Sequence, residues 1–230
     1  YVKFAGDNKF TRVVRGDVGG RAPNFPSLSI NADSTKAPVV LKDTMIFEGL
    51  NKFTSEVLIE PGTVLLMKDG ASLLFETKVT AAGLKGRPIL VQPMTAGVTW
   101  GVFGIVGEKT EGSHLKHINI SGGSGGFVGG KYFTGMVSIR STSNIVVEHA
   151  ELFDNKKFDD LVHVLYSSDV AFSNIRITNA RADGMDVDIS KRISVVDSTF
   201  ERIGNDAIDS MTSALSLRNS HLSWCGDKGV

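Results

Sequence analysis

Apolar and polar residues alternate along four short segments in the second half of the chain, which is typical of a β-strand with one buried face. The segments begin 25, 23 and 22 residues apart and read IVVEHAEL from Ile145, VAFSNIRI from Val170, ISVVDSTF from Ile193 and LSLRNSHL from Leu215. A second set has similar spacing, with DLVHVL from Asp160, DGMDVD from Asp183, DAIDSM from Asp206 and DKGV from Asp227. The alternation therefore predicts a repeat of short strands with a period of roughly 23 residues.

A repeat of this length without helical periodicity predicts a coil in which each turn of chain stacks on the previous one. Equivalent residues then form columns with about 4.8 Å between neighbours. Two columns are predicted to be buried and one polar column to lie at a turn: Ile145/Val170/Ile193/Leu215, Val162/Met185/Ile208 and His149/Asn174/Asp197/Asn219. A β-sandwich would pair its strands antiparallel, and leucine-rich repeats need a Leu/Asn consensus that the chain lacks. The predicted fold class is an all-β parallel β-helix.

Three consecutive stretches carry a resemblance to a known superfamily. They read LIEPGTVLLMKDGASLLF, VTAAGLKGRPILVQP and WGVFGIVG. This succession of a PGT turn, a strand, a TAxGxxxxPI segment and a Trp-Gly strand resembles the first rungs of secreted β-helix proteins of the pectate-lyase-like superfamily. The resemblance covers roughly residues 55–230 and implies a right-handed parallel β-helix outside the cell or at its surface. It implies no single activity, because the superfamily holds lyases, hydrolases, epimerases, tailspikes and adhesins.

The two ends of the chain are expected to differ from the repeat. Residues 1–50 are rich in turn formers and are predicted to be an irregular N-terminal cap with one candidate strand at TMIFEGL, and residues 51–230 are predicted to form the β-helix. The last repeat stops at Val230 within a predicted strand. We expect the protein to continue past it, or another chain or domain to complete the C-terminal rung.

Composition narrows the possible partners. The 25 basic and 25 acidic residues balance, which argues against nucleic acid, because phosphate binding usually needs a basic face. No apolar run approaches the roughly 20 residues that a membrane-spanning helix needs. Cys225 is the one cysteine, so no disulfide can form within the chain.

Aspartates recur in two columns of the repeat. His163, Asp186 and Asp209 are predicted to point outward from one strand set, with Asp188 beside them, because the neighbouring residues form the buried column. Asp160, Asp183, Asp206 and Asp227 are predicted to form a second column at the turn before these strands, so that both converge on one exposed patch. Carboxylates about 4.8 Å apart repel by roughly 1 kcal/mol in water and ~3 kcal/mol at a partly shielded surface.

Three explanations for this acidic patch remain open. Asp183, Asp206 and Asp227 can be ordinary turn residues that bond to nearby backbone. Alternatively, Asp183, Asp186, Asp206 and Asp209 can bind Ca²⁺, with Asn205 supplying a neutral oxygen. A third possibility is catalysis, for which the candidate residues are Asp183, Asp186, Asp206, Asp209, His163 and Lys228. A single His on an exposed strand is, however, more often a surface residue.

A comparison with polygalacturonases, which share the fold, separates the enzymatic alternatives. RADGMD, GNDAID and GDKG lie where that family has its catalytic motifs, so that Asp183 and Asp206 match two catalytic aspartates. Asn205 lies at the general-acid position, where an amide cannot donate the proton that a carboxylic acid supplies. The family's histidine is missing as well. A lyase or epimerase is therefore favoured over such a hydrolase, with calcium and Lys228, Arg181 or His163 as base.

Aromatic residues and a glycine-rich excursion add a weaker indication of sugar binding. Tyr132, Phe133, Phe153, Phe158, Tyr166 and Trp224 lie at or near predicted turns, where rings can stack on sugars or simply pack. SGGSGGFVGGKYF at 121–133 is predicted to be a flexible loop beside the groove. The predicted function is an extracellular carbohydrate-active or carbohydrate-binding domain that acts on an acidic polysaccharide through an Asp-rich groove. The alternative is a non-catalytic structural or adhesive module of a larger surface protein.

Overall fold

A computed structural model describes residues 37–230. Within this range the chain forms three parallel β-sheets, and each coil contributes a strand to each sheet in turn. This is the parallel β-solenoid that the repeat and the resemblance predict. Residues 1–36 lie outside the described range, so the irregular cap stays a prediction there. The first described strand begins at Val39 and the predicted TMIFEGL strand begins at Thr44, so regular strands precede residue 51.

Parallel pairing defines sheets 1, 2 and 3. Sheet 1 contains β1 (Val39–Leu41), β4 (Val57–Ile59), β7 (Val79–Ala82), β10 (His114–Lys116), β15 (Ser143–Glu148), β18 (Ser168–Ser173), β21 (Lys191–Val196) and β24 (Leu215–Arg218). Sheet 2 contains β2 (Thr44–Phe47), β5 (Val64–Met67), β8 (Ile89–Pro93), β11 (Ile118–Ser121), β16 (Glu151–Phe153), β19 (Arg176–Ala180), β22 (Thr199–Ile203) and β25 (His221–Cys225). Sheet 3 contains β3 (Leu50–Phe53), β6 (Ser72–Phe75), β9 (Phe103–Val106), β14 (Val137–Arg140), β17 (Val162–Leu165), β20 (Met185–Asp188) and β23 (Ile208–Met211).

Strand register confirms both predicted apolar columns. In sheet 1, Ile145 pairs with Val170, Val170 with Ile193 and Ile193 with Leu215. In sheet 3, Val162 pairs with Met185 and Met185 with Ile208. All of these residues except Leu215 are at most 1% exposed, and Leu215 packs against the same core. Because burial of a branched aliphatic side chain stabilises a fold by about 1.5–3 kcal/mol, the columns favour this register strongly.

The interior continues toward the N-terminal coils as a stack of aromatic rings. Phe53 lies 5.0 Å from Phe75 between ring centroids, and Phe75 lies 4.9 Å from Phe103. Phe53 and Phe75 occupy equivalent positions on β3 and β6, whereas Phe103 pairs with Leu73 and lies two positions earlier on β9. The Phe53–Phe75 stack is what a coil with a constant repeat length produces, and Phe103 extends it diagonally.

The predicted polar column lies at the corner between sheets 1 and 2. His149, Asn174, Asp197 and Asn219 all have positive φ, at 52°, 52°, 52° and 49°. Asn and Asp adopt this left-handed conformation more readily than most residues, which explains their recurrence. The backbone N–H of His149, Asn174 and Asp197 each donates to a carbonyl of the following coil. Each coil thus supplies acceptors for the turn before it.

A hairpin interrupts the repeat and covers part of sheet 3. The Gly-rich excursion that the sequence predicts as a loop contains antiparallel strands β12 (Gly126–Val128) and β13 (Lys131–Phe133). Phe133 is 1% exposed and packs with Leu74, Val102 and Val106, outside the main core. The β12–β13 hairpin therefore shields the outer face of β6 and β9. A short 3-10 helix, Glu108–Thr110, is the only helix in residues 37–230, and it is far too short to span a bilayer.

Candidate functional site

The outer face of sheet 3 carries the polar column that the sequence predicts. His163 on β17 pairs with Asp186 on β20, and Asp186 pairs with Asp209 on β23. Asp188 lies two residues beyond Asp186 and points to the same side of the sheet. Asp209 is exposed, the side chains of Asp186 and Asp188 are each 19% exposed, and His163 is only 7% exposed. The interpretation of His163 as a surface histidine is therefore wrong, because the residues before β14 and β17 cover it.

The second predicted column lies at the turn before sheet 3, but most of it is buried. Asp160 is 2% exposed, and Asp183 and Asp206 are each 9% exposed. Asp227 alone is exposed, with 58% of its side chain accessible. The prediction that both columns share one exposed patch is wrong for the first three residues, because each is covered by chain that packs over the corner.

Asp183 and Asp206 use their buried carboxyl groups to bond the next coil. Asp183 Oδ1 accepts hydrogen bonds from the backbone N–H of Asp206 at 2.9 Å and from Asn205 Nδ2 at 2.8 Å. Asp206 Oδ1 accepts from the backbone N–H of Lys228 at 2.7 Å. This is the turn chemistry that the sequence offers as one of three explanations, and it gives these two residues a structural task.

Lys228, one of the candidate bases, is held among carboxyl groups. Its Nζ lies 2.7 Å from Asp227 Oδ2 and 3.7 Å from Asp206 Oδ2. The hydrogen bond to Asp227 and the charge of Asp206 raise the pKa of Lys228. A higher pKa favours the ammonium form, which can neutralise an anion but cannot accept a proton.

A different set of side chains gathers where the two columns meet. We call Asp160, His163 and Asp186 the Asp160 cluster. One ligand atom from each lies within 4.8 Å of the other two. Asp188 adjoins the cluster, since His163 Nε2 lies 3.5 Å from Asp188 Oδ2 and 3.7 Å from Asp186 Oδ2. In residues 37–230 no other group of three His, Cys, Asp or Glu residues comes together in this way.

Burial perturbs the pKa values of the whole cluster. Burial, reinforced by the charges of Asp186, Asp159 and Asp183, raises the pKa of Asp160 to about 8, against a hydrogen bond from Thr134. Burial and the neighbouring charge of Asp188 raise the pKa of Asp186 to about 7. Burial lowers the pKa of His163, although Asp188 opposes this. Ionised carboxylates and a charged imidazolium are therefore both disfavoured here in the absence of a ligand.

Residues that the sequence analysis did not single out position the cluster. Thr134 Oγ1 lies 2.7 Å from His163 Nδ1. Asn155, 3% exposed, donates from Nδ2 to the carbonyl groups of Asp159 and Asp160, each at 3.1 Å, and so fixes the turn before β17. At Gly135 an added Cβ would lie 2.8 Å from the backbone nitrogen of His163, so only glycine permits this close approach.

Sequence spacing could indicate the contact between Asp160 and His163, but not the contact between Thr134 and His163. Asp160 and His163 stand three positions apart in DDLVH, a spacing that can bring a turn residue next to a strand residue. Thr134 precedes His163 by 29 residues and directly follows the excursion at 121–133. No periodic pattern links it to β17, so its contact with His163 depends on tertiary packing.

The β12–β13 hairpin forms an aromatic wall beside the cluster. Phe127 and Tyr132 pair across the hairpin and are 75% and 53% exposed. Tyr132 also makes an edge-to-face contact with Phe158, with ring centroids 5.6 Å apart. Arg140 on β14 donates to the carbonyl of Tyr132 at 3.2 Å. The wall thus stands next to the strand that precedes β17, and the loop that holds Phe158 leads directly into Asp160.

The predicted calcium set of Asp183, Asp186, Asp206 and Asp209 stays a prediction. Its four residues lie on two neighbouring coils, as predicted, with Asp186 paired to Asp209. One oxygen of Asp183 and one of Asp206 already accept backbone N–H groups. Two of the four carboxyl groups therefore offer Ca²⁺ fewer free oxygens than the sequence suggests.

Comparisons with known proteins give structural similarity alone. No protein-family model matches the chain, and no curated protein matches it. Alginate lyase from Paenibacillus sp. str. FPU-7 is 14% identical, with a TM-score of 0.38 over 72% of this chain and 70% of that one. A mutant of the periplasmic alginate epimerase AlgG is 11% identical, with a TM-score of 0.33 over 83% and 75%. The enzymatically active domain of bacteriophage CBA120 tailspike protein 2 is 12% identical, with a TM-score of 0.34 over 83% and 39%.

Proposed function

We propose that the chain is an extracellular or cell-surface carbohydrate-active domain that binds an acidic polysaccharide along the outer face of sheet 3. One observation carries the proposal: the β12–β13 hairpin ends beside β14 and leaves an open polar strip on β20 and β23, next to two exposed aromatic rings. Aromatic faces and polar side chains on one surface suit a sugar, which has both apolar and hydroxyl-bearing sides.

The strip supplies groups that can take part in proton transfer. Asp186 and Asp188 are partly accessible on β20, and Asp209 is exposed on β23. Carboxyl groups on a rigid strand can bind hydroxyls or act as general acid and base. Asn205 at the polygalacturonase acid position continues to favour a lyase or epimerase over that type of hydrolase.

An acidic substrate requires that its charge be balanced. The strip is rich in aspartate, so a polyuronide would be repelled unless a cation or the nearby Arg140 and Lys228 offset the carboxylates. The acidic-substrate part of the proposal therefore expects binding to weaken when divalent cations are removed. Equal binding of a neutral polysaccharide would contradict that part alone.

The test is binding and cleavage of polygalacturonate, alginate and a neutral glucan, followed by calorimetry and by the ultraviolet absorbance of unsaturated lyase products. Phe127→Ala and Tyr132→Ala should each weaken polyuronide binding by about tenfold, in line with roughly 1–3 kcal/mol for loss of an aromatic stacking contact. Trp224→Ala is the matched control, because this ring on β25 is 81% exposed but belongs to sheet 2. Equal effects of all three substitutions would contradict the proposed site.

A non-catalytic structural or adhesive module is the second candidate. It is favoured by Asp183 and Asp206, whose carboxyl groups bond backbone N–H groups of the next coil and so act as scaffold. A partner chain or domain that completes the last rung belongs to this candidate. A folded protein that binds no polysaccharide in the panel above would favour it.

A further inference from the structure

Three buried polar atoms of the Asp160 cluster have no hydrogen-bond partner in the described part of the chain. They are Asp160 Oδ2, His163 Nε2 and Asp186 Oδ1. Asp160 and His163 are 2% and 7% exposed, so bulk water does not replace the missing partners. An unpaired buried polar atom is destabilising, and all three belong to residues that each place a ligand atom within 4.8 Å of the other two. This arrangement indicates a ligand that accepts three electron-pair donors.

Thr134 occupies one ring nitrogen of His163 and leaves the other facing the cluster. Its hydroxyl oxygen lies 2.7 Å from His163 Nδ1 and can accept a hydrogen bond from that nitrogen. In the tautomer that carries the proton on Nδ1, Nε2 presents a lone pair to the cluster. Metal-binding histidines are oriented by such a hydrogen bond on the opposite ring nitrogen.

We propose that the Asp160 cluster binds a divalent first-row transition-metal ion such as Zn²⁺ or Mn²⁺. One imidazole nitrogen and two carboxylate oxygens form a three-ligand set of the kind that leaves a fourth position open. Ligand atoms of a tetrahedral site with bonds of about 2.1 Å lie about 3.4 Å apart. His163 Nε2 lies 3.7 Å from Asp186 Oδ2 and 3.5 Å from Asp188 Oδ2, and both distances are near this value. Asp188 can thus supply the fourth ligand.

The surrounding chain holds the ligands in place before any ion binds. His163 and Asp186 lie on paired strands β17 and β20. Asn155 fixes the carbonyl group of Asp160, and Gly135 lets the preceding chain approach His163 closely. Preorganised ligands bind a metal without a large loss of conformational entropy. This inference concerns a different ligand set from the predicted calcium site, since it needs His163 and Asp160 and does not need Asp206 or Asp209.

The experiment is calorimetric titration of Zn²⁺, Mn²⁺, Ca²⁺ and Mg²⁺ into the chelator-treated full chain. The wild type should bind one Zn²⁺ or Mn²⁺ per chain. His163→Gln and Asp160→Asn should abolish this binding, and Thr134→Val, which removes the positioning hydroxyl, should weaken it about 10–100-fold. Asp209→Asn is the matched control, because Asp209 belongs to the same column but not to the cluster, and it should leave the affinity within about twofold.

Circular dichroism of each variant separates loss of the ion from loss of the fold, and Thr134→Val carries the test if a ligand variant does not fold. A folded wild type that binds none of the four ions would overturn the proposal. So would calcium binding that Asp209→Asn weakens and His163→Gln leaves unchanged, which would instead support the predicted calcium set. The readout contains no sugar, so failure of the polysaccharide proposal leaves this result unaffected.

Discussion

Asp160 and Asp183 occupy equivalent turns of adjacent coils and yet have different surroundings. Asp183 Oδ1 accepts the backbone N–H of Asp206 and the amide of Asn205 in the following coil. Asp160 Oδ2 has no partner in residues 37–230 and lies in the cluster with His163 and Asp186. Both carboxyl groups are buried, at 2% and 9% exposure. Asp183 thus stabilises the stack of coils, whereas Asp160 keeps an oxygen that is free to bind a ligand.

The difference shows that a repeat constrains the backbone more than it constrains the side chains. A coil of constant length places an aspartate at each turn, but the neighbouring loop decides which atoms it meets. Around Asp160 two loops contribute: the carbonyl of Thr134, just after the hairpin, accepts the Asp160 N–H, and Asn155, in the loop before β17, donates to the Asp160 carbonyl. A site can therefore arise in a solenoid where an irregular excursion packs against one rung.

The largest expected effect on the free energy of unfolding is at Asp183, whose carboxyl group bonds the next coil. Asp183→Ala removes the acceptor for a buried backbone N–H, so we expect the free energy of unfolding to fall by about 1–3 kcal/mol. Asp183→Asn keeps an oxygen at the same place and should be close to the wild type near pH 4. Urea unfolding measured by circular dichroism checks both variants. A similar loss in Asp183→Asn would show that an acceptor oxygen alone does not account for the contribution of Asp183.

The pH dependence of stability gives a second test of the role of Asp183. Burial raises the pKa of Asp183, so the native protein holds this proton to a higher pH than the unfolded chain, in which an aspartate titrates near about 4. The contribution of Asp183 to the free energy of unfolding is therefore fully present below about pH 4. It is lost as the pH rises through the pKa of Asp183 in the folded protein, by at most about 1.4 kcal/mol per pH unit.

Asp183→Asn cannot lose this proton, so its stability should exceed that of the wild type by a margin that grows above about pH 4. Unfolding of both proteins in urea at a series of pH values, with a chelator present, measures the margin. The charge of Asp183 also raises the pKa values of Asp160 and Asp186, so its removal lowers them and adds to the same margin. Two parallel profiles would contradict the expected contribution of Asp183.

A smaller effect on the free energy of unfolding is expected at Asp160, which does not bond the next coil. Asp160→Asn keeps the size of the side chain and removes no bond to the next coil. Near pH 4 the folded protein also holds the proton of Asp160, whose pKa is raised to about 8, so at that pH and with a chelator present the free energy of unfolding should change by less than about 1 kcal/mol. Chemical denaturation beside Asp183→Ala gives the comparison directly. A loss as large as that of Asp183→Ala would show that Asp160 also stabilises the stack.

The smallest effect is expected for the exposed aspartates. Asp209→Asn and Asp227→Ala change side chains that are accessible to water, and such substitutions usually alter stability by no more than about 0.5 kcal/mol. The same unfolding assay applies. A clear gain in Asp209→Asn would instead measure the repulsion between Asp209 and Asp186, whose pKa the Asp209 charge raises.

Several features of the fold follow from local spacing. The register of Ile145 with Val170 and of Asp186 with Asp209 could be predicted, because side chains alternate along a strand and every coil is nearly equal in length. The left-handed turn at Asn174 could be predicted in the same way. The burial of His163 could not, since it depends on the Thr134 loop and the Asn155 turn, which have no counterpart in the other coils.

The sequence by itself determined the strand period, the columns and the turn residues, because these depend on backbone geometry that repeats at a fixed interval. Only the tertiary structure decided which aspartates are bonded and which converge with His163. The physical reason is that a buried carboxyl group takes its character from the few atoms within hydrogen-bond reach. For Asp160 those atoms include Thr134, which the chain brings close only when the hairpin excursion packs beside sheet 3.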